Sequence, residues 1–291
     1  MSRIKNIKRN CGTAILLVLT SMQLTAKNTV DKKGILLVSF GSSYPSAQAS
    51  FQNIEAKVHA SFPETEVRWA YTSKIIRHKL AKQGTHIDSP SEALAKMAED
   101  GFTQVAVQSL HIIPGSEYND LRQTVNAFEG LPKGIQKIKL GDPLIFKHED
   151  NLELATAIDQ LFKNKVGKNE ALLLMGHGTE HNANICYPGF QYYLEQVSDK
   201  YLLGTVEGVP TLDDMLQKLK SMKVKTIYLT PLMSVAGDHA NNDMAGDHAS
   251  SWKSQLEKEG YEVKIIMKGL AEYDEVVKIW INHLKKAYNE L

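Results

Sequence analysis

Short apolar runs that break at glycine are the feature that most constrains the fold of this chain. One run covers residues 35–40 (ILLVSF) and stops at residues 41–43 (GSS), and another covers residues 171–175 (ALLLM). Continuous apolar runs of this length are typical of strands buried on both faces of a parallel sheet. Helical patterns separate them, one of which opens at the capping pair Ser89-Pro90. This alternation predicts βαβ units and an α/β fold.

The two halves of the chain resemble each other. Residues 110–120 can be aligned with residues 232–242, and both apolar runs end at a glycine next to a small polar residue. This alignment sets Phe40 opposite His177 and Glu117 opposite His239. We therefore predict two similar doubly wound parallel-sheet domains that face a central cleft.

Length and composition fit two domains. The 291 residues, 43% of them hydrophobic, are enough for two cores of ordinary size. We place an N-terminal α/β domain at residues 33–162 and a C-terminal α/β domain at residues 170–291. We expect the C-terminal domain to carry a metal site. The net charge is +1, from 34 basic and 33 acidic residues. Because these charges are interspersed, we expect no nucleic-acid partner and no anionic membrane surface.

The first 26 residues have the pattern of a secretory signal. Four basic residues precede an uncharged, largely apolar stretch at residues 11–24, and Ala26 offers a cleavage point. The stretch is short of the roughly 20 apolar residues that span a bilayer. We therefore expect an exported, periplasmic protein with no stable membrane insertion after the signal is removed; a signal anchor is the alternative.

Two histidines and one carboxylate form the candidate metal site. His177 follows an apolar run and lies between two glycines, and His239 lies in a second loop after an apolar run. Glu207 lies between them in the sequence, before Gly208, where a sheet edge is expected. Two imidazoles and a carboxylate suit a divalent first-row metal. The alternatives are a histidine bonded to loop backbone and a solvated surface glutamate.

Other histidines have weaker claims. We expect Asp238 or a nearby asparagine to orient the His239 ring. The string Gly-Asp-His-Ala recurs around His248, which we expect to be exposed. His181, His111 and Glu117 are second-tier site candidates. The remaining five histidines are predicted to lie on the surface: His59, His78, His86, His148 and His283.

Nucleotide chemistry is not indicated. The chain has no Gly-x-x-x-x-Gly-Lys-Ser/Thr loop and no Gly-x-Gly-x-x-Gly turn. We therefore expect a reaction that uses no nucleotide. A Gly-x-Ser-x-Gly nucleophile elbow is missing as well, so a serine hydrolase is not indicated either.

Five motifs resemble one known family. They are residues 38–44 (VSFGSSY), 108–113 (QSLHII), 175–178 (MGHG), 206–207 (VE) and 236–245 (AGDHANNDMA). In this order and spacing they resemble the anaerobic sirohydrochlorin cobaltochelatases, the CbiK type of class II chelatase. The likeness runs from about Lys33 to the carboxyl end.

The resemblance implies two doubly wound α/β domains around a tetrapyrrole cleft. It also implies ATP-independent insertion of Co²⁺, as the substrate metal, into sirohydrochlorin on the way to cobalamin. His177, Glu207 and His239 would be the catalytic and metal-site residues, with His177 as ligand and proton acceptor. Residues expected to bind the macrocycle are Phe40, Ser42, His111 and Glu117.

Two departures and several alternatives stay open. Val209 stands where an aromatic residue is expected before Pro210, and residues 180–187 differ from a histidine-rich version of the loop. The metal could be Fe²⁺ or Ni²⁺, and a homo-oligomer is compatible with the sequence.

The alternative to a cobaltochelatase is a periplasmic protein that acts in iron acquisition. Such a protein would bind haem, another tetrapyrrole or a metal, or it would be an iron chelatase or dechelatase. An unrelated two-lobed binding protein would leave the histidine motifs unexplained.

Overall fold

A four-stranded parallel sheet forms the first half of the protein. The computed structural model describes residues 31–291, so the predicted signal at residues 1–26 lies outside the described residues. The strands are β1 (Lys33–Ser39), β2 (Glu66–Tyr71), β3 (Gln104–Ser109) and β4 (Lys137–Gly141). Their order in the sheet is β2-β1-β3-β4. The central β1 is buried along nearly its whole length, as its continuous apolar sequence predicts.

The second half repeats this sheet. Its strands are β5 (Glu170–Gly176), β6 (Tyr201–Thr205), β7 (Thr226–Leu232) and β8 (Glu262–Ile265). All pairs are parallel, and the order β6-β5-β7-β8 is that of the first sheet. Two similar doubly wound sheets are therefore confirmed. The sequence analysis did not identify β4 or β6.

Nine helices cover the two sheets within residues 31–291. They are α1 (Gln48–Ser61), α2 (Lys74–Lys82), α3 (Pro90–Glu99), α4 (Ser116–Phe128), α5 (His148–Phe162), α6 (Cys186–Val197), α7 (Leu212–Met222), α8 (Trp252–Lys258) and α9 (Asp274–Asn289). In this part of the chain, none of them has the length and apolar character that crossing a membrane requires.

Capping residues set the start of two of these helices. The Ser89 side chain accepts a hydrogen bond from the Glu92 backbone N–H at the start of α3, and the Glu92 carboxylate accepts one from the Ser89 N–H. Thr211 and Asp214 form the same reciprocal pair at α7. Such a capping box satisfies amide groups that have no partner within the helix.

Each half of the protein packs against a helix that belongs to the other half. Helix α9, at the end of the chain, packs against β3 and β4 of the first sheet, and α5 packs against α6 of the second half. Trp280 of α9 is fully buried in a hydrophobic cluster that contains residues from both halves. The predicted division between residues 162 and 170 separates the two sheets, but the cores are continuous across it. The domain bounds stay a prediction.

His283 is buried, so its predicted surface position is wrong. Its side chain is only 7% exposed. The ring Nε2 lies 2.9 Å from Asp150 Oδ1, and Nδ1 lies 3.1 Å from the backbone oxygen of Asp142. The residue falls on the face of α9 that covers the first sheet, and the carboxylate on α5 gives the ring a polar partner there. This pair connects α9 to α5.

The buried pair provides a stability test. His283→Ala would leave the Asp150 carboxylate buried without its partner, and we expect the free energy of unfolding to fall by about 3–5 kcal/mol. Urea denaturation measures the change. The matched control is His59→Ala: that ring is 52% exposed and 4.0 Å from Glu55, so a loss within about 0.5 kcal/mol is expected. Equal losses in both variants would contradict this role of the pair.

Candidate metal centre

Three neighbouring strands end at one edge of the second sheet and carry the three predicted ligands. His177 follows β5, Glu207 follows β6 and His239 lies in the loop after β7. At this end, Gly176 of β5 pairs with Thr205 of β6 and with Leu232 of β7. Because the strands are parallel, their carboxyl ends leave the sheet on the same side. The structure thus brings together residues that are far apart in the sequence.

Close backbone contact holds the first two ligand loops together. The Glu207 N–H donates to the His177 carbonyl at 2.8 Å. Gly178 has φ +80°, and a Cβ atom there would overlap the backbone nitrogen of Gly208. Only glycine allows both this conformation and this approach. His177 and Glu207 are therefore positioned by the same pair of touching loops.

Asn184 connects the same two loops, a role that the sequence analysis missed. It belongs to a short 3-10 helix, Asn182–Ile185, and is buried. Its amide donates to the Val209 carbonyl at 2.7 Å and its Oδ1 accepts from the Thr179 N–H at 3.2 Å. Nothing in the sequence distinguishes this asparagine from Asn182, because the role depends on the fold of both loops.

The three side chains form a compact donor set. Each of His177, Glu207 and His239 offers a ligand atom within 4.8 Å of the others. The two imidazole rings meet edge to face, with centroids 4.4 Å apart and an interplanar angle of 88°. The side chains of His177 and Glu207 are 44% and 55% exposed, so an ion can reach them. Imidazole and carboxylate together suit a divalent first-row metal.

A backbone carbonyl orients the His177 ring. Its Nδ1 lies 2.8 Å from the Gly178 oxygen. That oxygen can only accept, so Nδ1 carries the proton and Nε2 keeps a free lone pair. Glu207 Oε2 is 3.7 Å from Nδ1, too far for a hydrogen bond. His177 can thus bind a metal or accept a proton at Nε2.

Asp243, rather than Asp238 or an asparagine, contacts the His239 ring, so our prediction of its partner is wrong. Asp243 Oδ2 lies 2.7 Å from His239 Nδ1. A single π-helical turn, Ala240–Met244, follows His239 and brings the two side chains together across four positions. Such turns are frequent at functional sites.

Asp238 instead meets the first half of the protein. The Tyr44 hydroxyl, in the loop after β1, donates to Asp238 Oδ1 at 2.7 Å and accepts from the Asn242 amide at 3.3 Å. The hydrogen bond to Asp238 is the main cause of a raised pKa of Tyr44. The first half therefore contacts the loop that carries His239, through Asp238, the residue that precedes His239. The sequence motif at residues 38–44 contains Tyr44 but gives no sign of this contact.

The second Gly-Asp-His-Ala string lies outside the metal cluster. His248 is exposed, as predicted, with Nε2 2.9 Å from the Asn242 carbonyl oxygen and Nδ1 2.8 Å from Ser250 Oγ. Both ring nitrogens are thus occupied by local contacts. Of the two copies, the one with His239 contributes to the cluster.

The predicted macrocycle-binding residues lie in the first half, outside the three-residue cluster. Phe40, directly after β1, is 45% exposed. Ser42 is buried, and a Cβ atom on Gly237 would lie 3.2 Å from its Oγ. Glu117 is half-buried in the first turn of α4. Their role in substrate binding stays a prediction.

His111 is held neutral by its surroundings. Its Nδ1 lies 2.8 Å from Ser109 Oγ, and its Nε2 is buried. Burial lowers the pKa of His111 to about 4.

His181, the other weaker candidate among the histidines, connects to helix α4. Its Nε2 lies 3.3 Å from the side-chain amide nitrogen of Asn119. That contact also connects the two halves.

Two doubly wound α/β halves with a histidine–carboxylate cluster at a sheet edge define a chelatase. The family model described as cobalt chelatase (CbiK) matches residues 33–289. The chain belongs to this family, and the resemblance seen in its motifs is confirmed.

Three known proteins show how far the similarity extends. Sirohydrochlorin cobaltochelatase CbiKC of Nitratidesulfovibrio vulgaris (strain Hildenborough) is 40% identical over 262 residues, covering 90% of this chain and 93% of that protein. Sirohydrochlorin cobaltochelatase of Salmonella typhimurium (strain LT2) is 35% identical over 260 residues, covering 89% and 97%. The solved structure of SirB from Bacillus subtilis with Fe³⁺ has a TM-score of 0.58 and 15% identity, covering 89% of this chain and 97% of SirB. This last likeness shows the fold.

The low pKa of His111 predicts how stability depends on pH. The folded protein keeps the ring neutral down to about pH 4, whereas the unfolded chain takes up a proton below about pH 6.5. The unfolded state therefore gains protons first, and the free energy of unfolding falls as the pH decreases through this window. His111 alone should contribute a loss of about 2 kcal/mol between pH 7 and pH 5.

Urea denaturation of the wild type and His111→Gln at both pH values measures this contribution. The variant has no imidazole to protonate, so its loss between pH 7 and pH 5 should be smaller by about 2 kcal/mol. His78→Gln, at an exposed position of α2, is the control and should retain the wild-type difference. An unchanged pH dependence in His111→Gln would exclude a neutral His111.

Proposed function

We propose that this protein inserts Co²⁺ into sirohydrochlorin, without a nucleotide, in a step towards cobalamin. The observation that carries the proposal is the cluster of His177, Glu207 and His239 at the edge of the second sheet. Two relatives of 40% and 35% identity are named sirohydrochlorin cobaltochelatases. The absence of phosphate-binding motifs from the sequence supports a reaction without a nucleotide.

The donor set suits the chemistry of metal insertion. The macrocycle must release two pyrrole protons and receive an ion that has lost part of its water. Nε2 of His177 carries a free lone pair and can accept one of these protons. The Glu207 carboxylate offsets part of the charge of the ion, and its side chain is 55% exposed, so that an incoming ion can reach it. His239 completes the coordination of the substrate metal.

The first half would supply the surface for the macrocycle. Phe40 is a large apolar side chain, 45% exposed, and can lie against a flat tetrapyrrole. Ser42, His111 and Glu117 would contribute to the same wall. Because His111 stays neutral and its Nε2 is buried, we expect it to support this wall rather than to act as a cation for a substrate carboxylate.

Cobalt is the metal that we propose, and Fe²⁺ and Ni²⁺ are its competitors. Imidazole and carboxylate ligands bind all three ions, with an affinity that generally rises from Fe²⁺ through Co²⁺ to Ni²⁺. Selection among them would depend on geometry and supply. The assay for activity therefore includes all three metals.

Insertion is measured by the visible spectrum of sirohydrochlorin under anaerobic conditions. We expect the protein to accelerate conversion with Co²⁺ above the spontaneous rate. His177→Ala removes the proton acceptor, and His239→Ala removes a metal ligand, so each should lower kcat by at least about 100-fold. The control His59→Ala lies on the exposed face of α1 and should retain the wild-type rate.

The same assay separates the enzyme from a binding protein. Failure to exceed the spontaneous rate with any of the three metals, together with a shift of the haem Soret band on mixing, would contradict the proposal. That outcome would favour a haem- or tetrapyrrole-binding protein in iron acquisition. A faster conversion with Fe²⁺ than with Co²⁺ would keep the chelatase but change its metal.

We further propose that the chain is exported to the periplasm by a signal at residues 1–26. Its basic start, apolar stretch and Ala26 support this. Cell fractionation and intact mass should find a periplasmic protein that begins at Lys27. Leu17→Arg introduces a charge into the apolar stretch and should leave uncleaved protein in the cytoplasm. An uncleaved wild-type chain in the membrane fraction would instead indicate a signal anchor.

A further inference from the structure

We propose that Asp243 is a positioning residue that fixes the His239 ring as the anchor of the substrate metal. The proposal rests on the metal site that the proposed function uses. Asp243 is not a member of the three-residue cluster. It acts through His239, because its Oδ2 lies 2.7 Å from the ring Nδ1.

The hydrogen bond selects one form of the imidazole. An ionised carboxylate can only accept, so Nδ1 must carry a proton when it meets Asp243. In the neutral ring this leaves the lone pair on Nε2. The carboxylate therefore decides which nitrogen is available to the ion and also sets the direction of the ring.

Several hydrogen bonds hold the turn between the two side chains. The Asn241 amide donates to the Gly237 carbonyl at 2.7 Å, and the Asn242 amide donates to Asp238 at 3.1 Å. The Ala245 N–H donates to the Ala240 carbonyl at 3.2 Å, across the π-helical turn. The His239 and Asp243 side chains are 27% and 39% exposed. The pair is thus part of a loop whose backbone and side chains are held by several hydrogen bonds.

His177 is held in a different way, and the difference separates the roles of the two histidines. Its Nδ1 meets the neutral carbonyl of Gly178 at 2.8 Å, whereas His239 meets a carboxylate. A charged acceptor makes a stronger hydrogen bond than a neutral carbonyl and holds the ring more firmly in one orientation. His239 is therefore the firmer metal ligand, while His177, which is 44% exposed, is free to leave the ion and accept a proton.

The tautomer of His239 gives a direct test. Long-range ¹H–¹⁵N spectra of the metal-free protein, labelled at histidine and recorded at about pH 8.5, show which nitrogen is protonated in neutral rings. We expect a proton on Nδ1 of His239 in the wild type. Asp243→Ala should move this proton mainly to Nε2 and leave the His177 tautomer unchanged, because the Gly178 carbonyl holds it. An unchanged His239 tautomer in Asp243→Ala would overturn the proposal.

Metal binding gives the second readout. We expect Asp243→Ala to weaken Co²⁺ binding by about 10–100-fold, measured calorimetrically with the metal alone. Asp243→Asn retains an acceptor oxygen and should recover part of that affinity. The matched control is Asp247→Ala in the second Gly-Asp-His-Ala string, where the carboxylate is 96% exposed and pairs with Lys253. A loss of equal size in the control, or no recovery with asparagine, would contradict positioning by Asp243.

Neither measurement uses sirohydrochlorin, so the two proposals can fail separately. If the wild type binds Co²⁺ and both readouts respond to Asp243, but no tetrapyrrole is metallated, the positioning role stands and the proposed activity fails. If metallation proceeds and the His239 tautomer does not depend on Asp243, the positioning role fails alone. Where both hold, Asp243→Ala should raise the KM for Co²⁺ more than it lowers kcat.

Discussion

Parallel pairing of β5 with both β6 and β7 is the constraint on which the metal centre depends. Three strands that run in the same direction place the loops that follow them at one edge, and these loops carry the three candidate ligands. The fit between the first two loops is tight, because the backbones of Gly178 and Gly208 touch. A register shift in β6 would move Glu207 away from His177 and break the hydrogen bond between their backbones. The packing and register of this sheet therefore determine the geometry of the site.

Features with a local or periodic cause could be predicted from the sequence. The central strands β1 and β5 are buried on both faces, which requires a continuous apolar run. The helix starts at Ser89 and Thr211 follow from side-chain caps within four residues. The candidate cluster could be predicted because His177 and His239 follow apolar runs and Glu207 precedes a glycine where a sheet edge is expected. The chelatase fold could be predicted from the motifs around these residues.

The features that were missed depend on distant or irregular structure. A histidine on a helix gives no sign of a buried carboxylate that is 133 positions away, as Asp150 is from His283. The contact between Asp243 and His239 requires a π-helical turn, which has no clear sequence signal. The edge strand β4, with lysines at positions 137 and 139, lacks the apolar run of the central strands. Such positions are settled by tertiary structure rather than by local pattern.

The two halves share a strand order but not a chemistry. In the alignment of the halves, Phe40 stands where the second half has His177, and Glu117 stands where it has His239. The first half thus offers an exposed aromatic surface where the second offers imidazoles. Tyr44 and Asn119 connect them through hydrogen bonds to Asp238 and His181. The same strand order thus presents different side chains at the corresponding edges of the two sheets.

The packing of α9 has a consequence for how the first half of the protein folds. This helix, the last in the chain, covers β3 and β4, which belong to the first sheet. The first sheet is therefore partly uncovered as long as the carboxyl-terminal residues have not packed against it. The amino-terminal half cannot complete its core ahead of the rest, as the leading domain of a multidomain chain commonly does. The two halves therefore depend on each other for their native packing.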